Sequence, residues 1–200
     1  MALKHWVSAS LRNLEASLSP VPHEVNEVDW KARLSDNKER LTEHLMAFAN
    51  YPSGGTFVFG INNDGLAIGI SAEEIAQIIG TLTNLGRDAV EPALALDHAA
   101  VEFRGDCILL VHVTEQQIKP VHRRGKSIEE AWIRSGGTTR KASRQEVGSL
   151  MLNSATPCWE DLRASSLIDY LKSNGCWIWI PWLPCYNAHS PKILKTWRPG

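Results

Sequence analysis

LMAFANYPSGGTFVFGINNDGLAIGI, residues 45–70, decides how the rest of the chain is read. Leu45, Phe48 and Ala49 have the spacing of one helical face, and the helix they define stops at Pro52, Gly54 and Gly55. Thr56 to Ile61 is then a short β-prone run. Asn62 to Gly65 supplies residues that tolerate positive φ, and Leu66 to Ile70 turns apolar again. The pattern predicts a helix that ends in a glycine turn and hands over to a β-hairpin.

Upstream, Glu24 to Leu34 alternates around Val28 and Trp30 as an edge strand would, with Glu27, Asp29 and Lys31 on one face; Asp36 or Asn37 can cap the helix that follows. Farther upstream, Leu3, Val7, Leu11, Leu14 and Leu18 form the stripe of an amphipathic helix closed by Pro20 and Pro22. Such a stripe either packs on its own domain or serves as a dimerisation or regulatory arm. Downstream, Ser71-Ala-Glu-Glu74 is a capping box opening a helix through Ile75, Ile78, Ile79 and Leu82. Ala93–Phe103 and Cys107–Thr114 form a second predicted hairpin around Arg104-Gly105-Asp106, and Ile108–Val113 is apolar enough for a central strand. Short strands near Pro120–His122 and at Ala131–Ser135 flank a loop at 123–130, Ser135-Gly-Gly-Thr-Thr139 reads as a flexible loop, and Ser143-Arg-Gln-Glu146 is another capping box at the head of a helix. Helices interleaved with hairpins imply an α+β fold with a mixed β-sheet and flanking helices.

Taken together these segments resemble the Schlafen AlbA-type domain. The resemblance rests on Ala47-Phe-Ala-Asn50, Gly54-Gly55, the strand ending in Gly60-Ile61, and the Asn/Asp-rich turn and second run that follow. It extends to Glu24 standing five residues before Asp29-Trp30-Lys31, to Lys119-Pro-Val121, and to Trp132-Ile-Arg-Ser-Gly136. It divides the chain into an N-terminal helix (1–19), an AlbA-type domain (20–155), and a linker with a tryptophan-rich tail (156–200). The resemblance implies a nucleic-acid-binding module, DNA before RNA, of the kind attached to bacterial transcriptional regulators.

Charge distribution supports a localised partner. The chain of 200 residues has a formal net charge of −1. Between 62 and 106 there are eight acidic residues and two basic ones; between 119 and 144 there are eight basic and two acidic. Lys119, Arg123, Arg124, Lys126, Arg134, Arg140 and Lys141 of this basic segment, with Lys31 from the edge strand, are the candidate phosphate ligands, because guanidinium forks and exposed amides donate to phosphate oxygens. The alternative is a solvated surface whose cations pair with the acidic 62–106 segment. Gly125-Lys126-Ser127 resembles the end of a P-loop, but Pro120 stands where that loop needs a glycine, so no ATP site is expected.

A second functional expectation is a divalent-metal-dependent endoribonuclease, in which the resemblance would assign catalysis to Glu24 and Asp29 with Mg or Mn as the cofactor. The third acidic position falls on Asn62 or Asn63, which carry no charge, so metal binding and cleavage should be weakened. With the binding reading no cofactor or metal is expected. A third expectation is a protein-interaction module using the first helix and the tail, and a homodimer is compatible with all three. The four cysteines lack framework spacing, Cys107 is expected to be buried in its apolar run, and no run reaches the roughly 20 apolar residues that span a bilayer. A reducing cytoplasmic setting without membrane attachment is expected.

Overall fold

The computed structural model of the chain describes residues 4–154. The expected tail, 156–200, lies outside the described residues. The elements run α1 (His5–Leu18), β1 (Val28–Lys31), α2 (Lys38–Asn50), β2 (Gly55–Phe59), α3 (Ala72–Asp88), β3 (Val90–Glu91), β4 (Leu96–Phe103), β5 (Asp106–Val113), β6 (His122–Arg123), a 3-10 turn (Ile128–Glu130), β7 (Trp132–Ser135), β8 (Thr138–Lys141) and α4 (Arg144–Leu152). The architecture is α+β. A four-stranded sheet has the order β1-β2-β5-β4, with β1 parallel to β2 and the other pairs antiparallel. Two small antiparallel pairs, β3-β6 and β7-β8, stand beside it.

Alternation along the strands divides the core in two. Phe57, Phe59, Leu109, Val111 and Val113 face α2 and α3 and pack on Leu41, Leu45, Phe48, Ile78 and Leu82. Val28, Trp30, Val58, Ile108 and Leu110 face the other way and are covered by Val7, Leu14 and Leu18 of α1. The amphipathic stripe of α1 is thus spent on its own sheet. Asn37 caps α2 by accepting from the Arg40 amide at 2.9 Å, and both predicted capping boxes form, at Ser71/Glu74 and Ser143/Glu146.

The glycine turn after α2 is forced by close approach. A Cβ on Gly54 would lie 2.1 Å from the Val113 carbonyl, and one on Gly55 would lie 1.9 Å from the Phe48 ring. Only glycine lets the chain pass from helix to strand this close to its neighbours.

Two sequence expectations need correction here. Leu66–Ile70 does not become a hairpin strand: only a single bridge, Ile61 to Ala67, links it to the end of β2. Both edges of β2 are already taken by β1 and β5, and the Asn62 side-chain oxygen accepts from the Asp64 and Leu66 amides at 3.0 and 2.8 Å, closing a tight local turn instead. Cys107 is exposed rather than buried. It pairs with Glu102 at the turn end of the β4-β5 hairpin, outside both core clusters.

Candidate nucleic-acid interface

Residues 135–139, expected to be a flexible loop, close the β7-β8 hairpin, with Gly136 and Gly137 as its turn. Gly136 and Gly137 both have positive φ, 58° and 76°, as a two-residue turn with right-handed strand twist requires. The hairpin is docked on the segment before β1. Gly137 donates its amide to Asn26 Oδ1 at 2.8 Å, and a Cβ there would come within 2.1 Å of the Glu24 carbonyl.

Arg134 is what the docked hairpin encloses. Its side chain is fully buried; Nη2 donates to the Val25 and Val28 carbonyls at 2.8 and 3.1 Å, Nε to the Asn26 carbonyl at 3.2 Å, and Nη1 to Thr139 Oγ1 at 3.2 Å. Its guanidinium lies 5.0 Å from the centre of the Phe48 ring and 3.7 Å from the Glu24 carboxyl. With its fork spent on backbone carbonyls, Arg134 holds the hairpin to β1 and faces no solvent.

A second internal clamp is Asn50, which the charge pattern gave no reason to single out. Buried at the end of α2, it donates to the carbonyls of Val121 (2.9 Å) and Trp132 (3.0 Å) and accepts from the Val121 amide at 2.7 Å. One amide thereby fixes the start of β6 and the start of β7, the two strands that carry the basic loops.

Those loops bring part of the predicted set together. Lys141 donates to Glu130 at 2.5 Å, and that bond holds the Glu130 carboxyl low against desolvation, with the charges of Lys141, Arg123 and Lys126 adding to it. Arg123 also pairs with Glu39 at 2.6 Å, Arg140 with Glu146 at 2.6 Å, and Arg144 with Glu129 at 3.3 Å. Arg124 and Lys126 are exposed and form no ion pair within 4.0 Å among the described residues. The partners of this segment are mainly nearby glutamates rather than the acidic 62–106 segment, from which only Asp88 feels Arg124. Lys119 stands apart, its side chain nearly buried against Glu115 at 2.5 Å.

Lys31 belongs to a different cluster, at the β1 edge of the sheet. Its ammonium lies 3.1 Å from Asp29 Oδ1, while His44 Nδ1 approaches Asp29 Oδ2 at 2.5 Å. Burial pushes Asp29 up, but the His44 contact and the Lys31 charge outweigh it and hold Asp29 well below the usual carboxylate range. Burial is also the largest influence on Glu24, and the Asp29 charge adds to it, so Glu24 is raised to about 7 against the opposing pull of Arg134 and Lys31. Burial lowers His44 in spite of Asp29.

Residues 24–143 match the family model described as Schlafen, AlbA_2. The chain belongs to the Schlafen AlbA_2 family. The family is one of nucleic-acid-associated domains. None of the curated proteins matches the chain. Among solved structures, it is similar to the DIP2311 protein from Corynebacterium diphtheriae, with 18% identity and a TM-score of 0.49 over 86% of this chain and 35% of that one. It is also similar to the N-terminal domain of a RecG-related protein from Nitrosomonas europaea, with 21% identity and a TM-score of 0.46 over 67% of this chain and 92% of that one. The chain thus spans about a third of the length of DIP2311.

Within this AlbA_2 domain the residues do not fit the divalent cation that the nuclease reading implies. Asp29 is enclosed, with Lys31 and His44 already against its two oxygens; Asn62 turns its oxygen to backbone amides. Among the described residues no three His, Cys, Asp or Glu side chains converge as a ligand set. Such cations need oxygen ligands free to turn toward one point, and here those oxygens are already engaged within the protein. Among the described residues no helix of the AlbA_2 domain is long and apolar enough to cross a membrane.

Proposed function

We propose that this AlbA_2 domain binds nucleic acid, with DNA as its target and a transcriptional regulator in the cytoplasm as its setting, and that it does so through the β6-β7 loop and strand β8. Arg123, Arg124, Lys126, Arg140 and Lys141 are the phosphate ligands, and Arg144 at the head of α4 joins them. The observation that carries this reading is that Arg123, Arg140, Lys141 and Arg144 are each paired with a surface glutamate, on the same segment that exposes Arg124 and Lys126. Exposed ion pairs contribute little to folding, so Glu39, Glu130 and Glu146 can release their cations to phosphate at small cost. The exchanged contacts are charge-assisted and displace counterions from the nucleic acid. Arg134 and Asn50 are positioning residues that hold the two loops in register, Lys119 lies beside the face without belonging to it, and Lys31 serves the internal Asp29 pair.

The reading includes no metal requirement and no cleavage. Labelled DNA incubated with the protein at low salt, once with Mn²⁺ and once with EDTA, is expected to be retarded equally on a native gel and to run intact on a denaturing one. Retardation that disappears in EDTA, or strands cut only with Mn²⁺, would transfer the function to Glu24 and Asp29. No retardation of any nucleic acid would remove the proposal.

A further inference from the structure

Away from the basic loops, a cleft of about 300 Å³ opens between α1 and the end of the sheet where β2 begins and β5 finishes. One wall is aromatic: Trp6 and His112 are stacked, with ring centres 5.1 Å apart and planes 12° from parallel. The Trp6 indole is fixed in place by donating to Asp97 at 2.8 Å. Burial lowers His112, against the Gly55 carbonyl and Asp97, so the ring is neutral at neutral pH. The floor is the buried hydroxyl pair of Ser10 and Thr56, 2.7 Å apart, with Thr56 also 3.2 Å from His112 Nδ1.

Polar groups stand at the rim. Glu27 accepts from the Tyr51 hydroxyl through one carboxyl oxygen at 3.2 Å, which leaves the other for a ligand. Asn13 lines the same cleft, and among the described residues its side-chain amide has no protein partner. At the opposite lip, Ser53 adopts a φ of 66°, rare for a residue with a side chain, and its amide is tied to Glu115, the partner of Lys119.

We propose that this cleft receives one unstacked base of a single-stranded nucleic acid, and that Glu27 selects bases carrying an exocyclic amino group. The inference rests on the proposed function and deepens it. The volume suits a nucleobase, the Trp6 and His112 rings that line it are of the kind on which single-stranded bases are held, and an amide beside a carboxylate matches the mixed donor and acceptor edge of a base. A carboxylate oxygen accepts from an amino group, which adenine, cytosine and guanine possess and thymine and uracil lack. Glu27 adjoins Asn26, on which the β7-β8 turn is docked.

The test uses the full chain and labelled oligo(dC), oligo(dA), oligo(dT) and a mixed-sequence duplex at one fixed salt concentration, followed by fluorescence anisotropy. Oligo(dC) and oligo(dA) are expected to bind about tenfold tighter than oligo(dT), the scale of one well-held base. Glu27→Gln, nearly isosteric, is expected to erase that preference and leave the duplex affinity unchanged. Trp6→Ala should weaken all single strands alike; if it fails to fold, Glu27→Gln still decides. Equal affinity for the three oligonucleotides in the wild type, or a preference untouched by Glu27→Gln, overturns the cleft while duplex binding leaves the proposed function standing. Failure to bind any of the four overturns both.

Discussion

Arg134 carries a formal charge that its surroundings use for architecture. Removing it strands the carbonyls of Val25, Asn26 and Val28 inside the protein, and leaving buried partners uncompensated is among the more damaging single changes. Arg134→Ala is expected to lower unfolding free energy by about 3 kcal/mol or more in urea titration. A loss of phosphate affinity without loss of stability would instead place it at the interface. Glu24 makes a prediction with a sign. Its carboxyl is raised from 4.5 to about 7 by burial and by Asp29, so the folded state holds a proton that the unfolded state has released across that interval. Its contribution to stability is complete below pH 4.5 and is lost as pH rises toward 7. His44, lowered by burial, acts in the opposite sense, gaining stability as pH rises through its unfolded value. Comparing wild type with Glu24→Gln between pH 5 and 8 isolates the first effect: the variant should lose the downward component and its stability should rise more steeply with pH. Parallel profiles would contradict the raised carboxyl of Glu24. From sequence these roles were only half legible. Glu24 and Asp29 could be singled out by the resemblance, but a basic residue in a basic segment carries no mark of which way its strand faces, and so Arg134 was grouped with the phosphate ligands.

The β7-β8 hairpin shows what a single element can demand of its turn. Gly137 combines a φ of 76° with a carbonyl where its Cβ would stand, so Gly137→Ala is expected to cost at least about 1–3 kcal/mol and to detach the hairpin from residues 24–26. Hydrogen exchange at the amides of β7 and β8 would register this as faster exchange confined to the hairpin. Unaltered protection would mean that the close approach is not as tight as described. Elements set by local chemistry were readable in the chain: α2 from its apolar spacing and its Asn37 cap, α3 and α4 from their capping boxes, β5 from the run Ile108–Val113. Elements set by competition for a partner were not. Leu66–Ile70 has the composition of a strand, yet its place beside β2 belongs to β5, whose pairing runs from Gly55–Val113 to Phe59–Leu109. Likewise β8 looked like loop because Ser135-Gly-Gly-Thr-Thr139 is rich in turn residues, and its pairing with β7 rests on two glycines at positive φ.

On the scale of the molecule, near-neutral net charge hides a surface where nearly every cation of the basic segment already has an acidic neighbour. Such a surface gains its affinity for a polyanion by exchanging partners, so binding should depend steeply on salt even though the chain as a whole is slightly negative. Arg124 and Lys126, which have no ion pair to give up among the described residues, should carry a full share each. The cations that have one should contribute less. The measurement that tests this most directly is the affinity for a short DNA duplex as a function of salt concentration, for the wild type and for the double variant Arg124→Ala/Lys126→Ala. The account predicts a linear fall of log affinity with log salt in the wild type, and in the variant a weaker affinity at every salt concentration with a slope smaller by about 2. An unchanged slope and affinity in the variant, with the protein folded, would contradict the assignment of the β6-β7 loop as the phosphate-binding face.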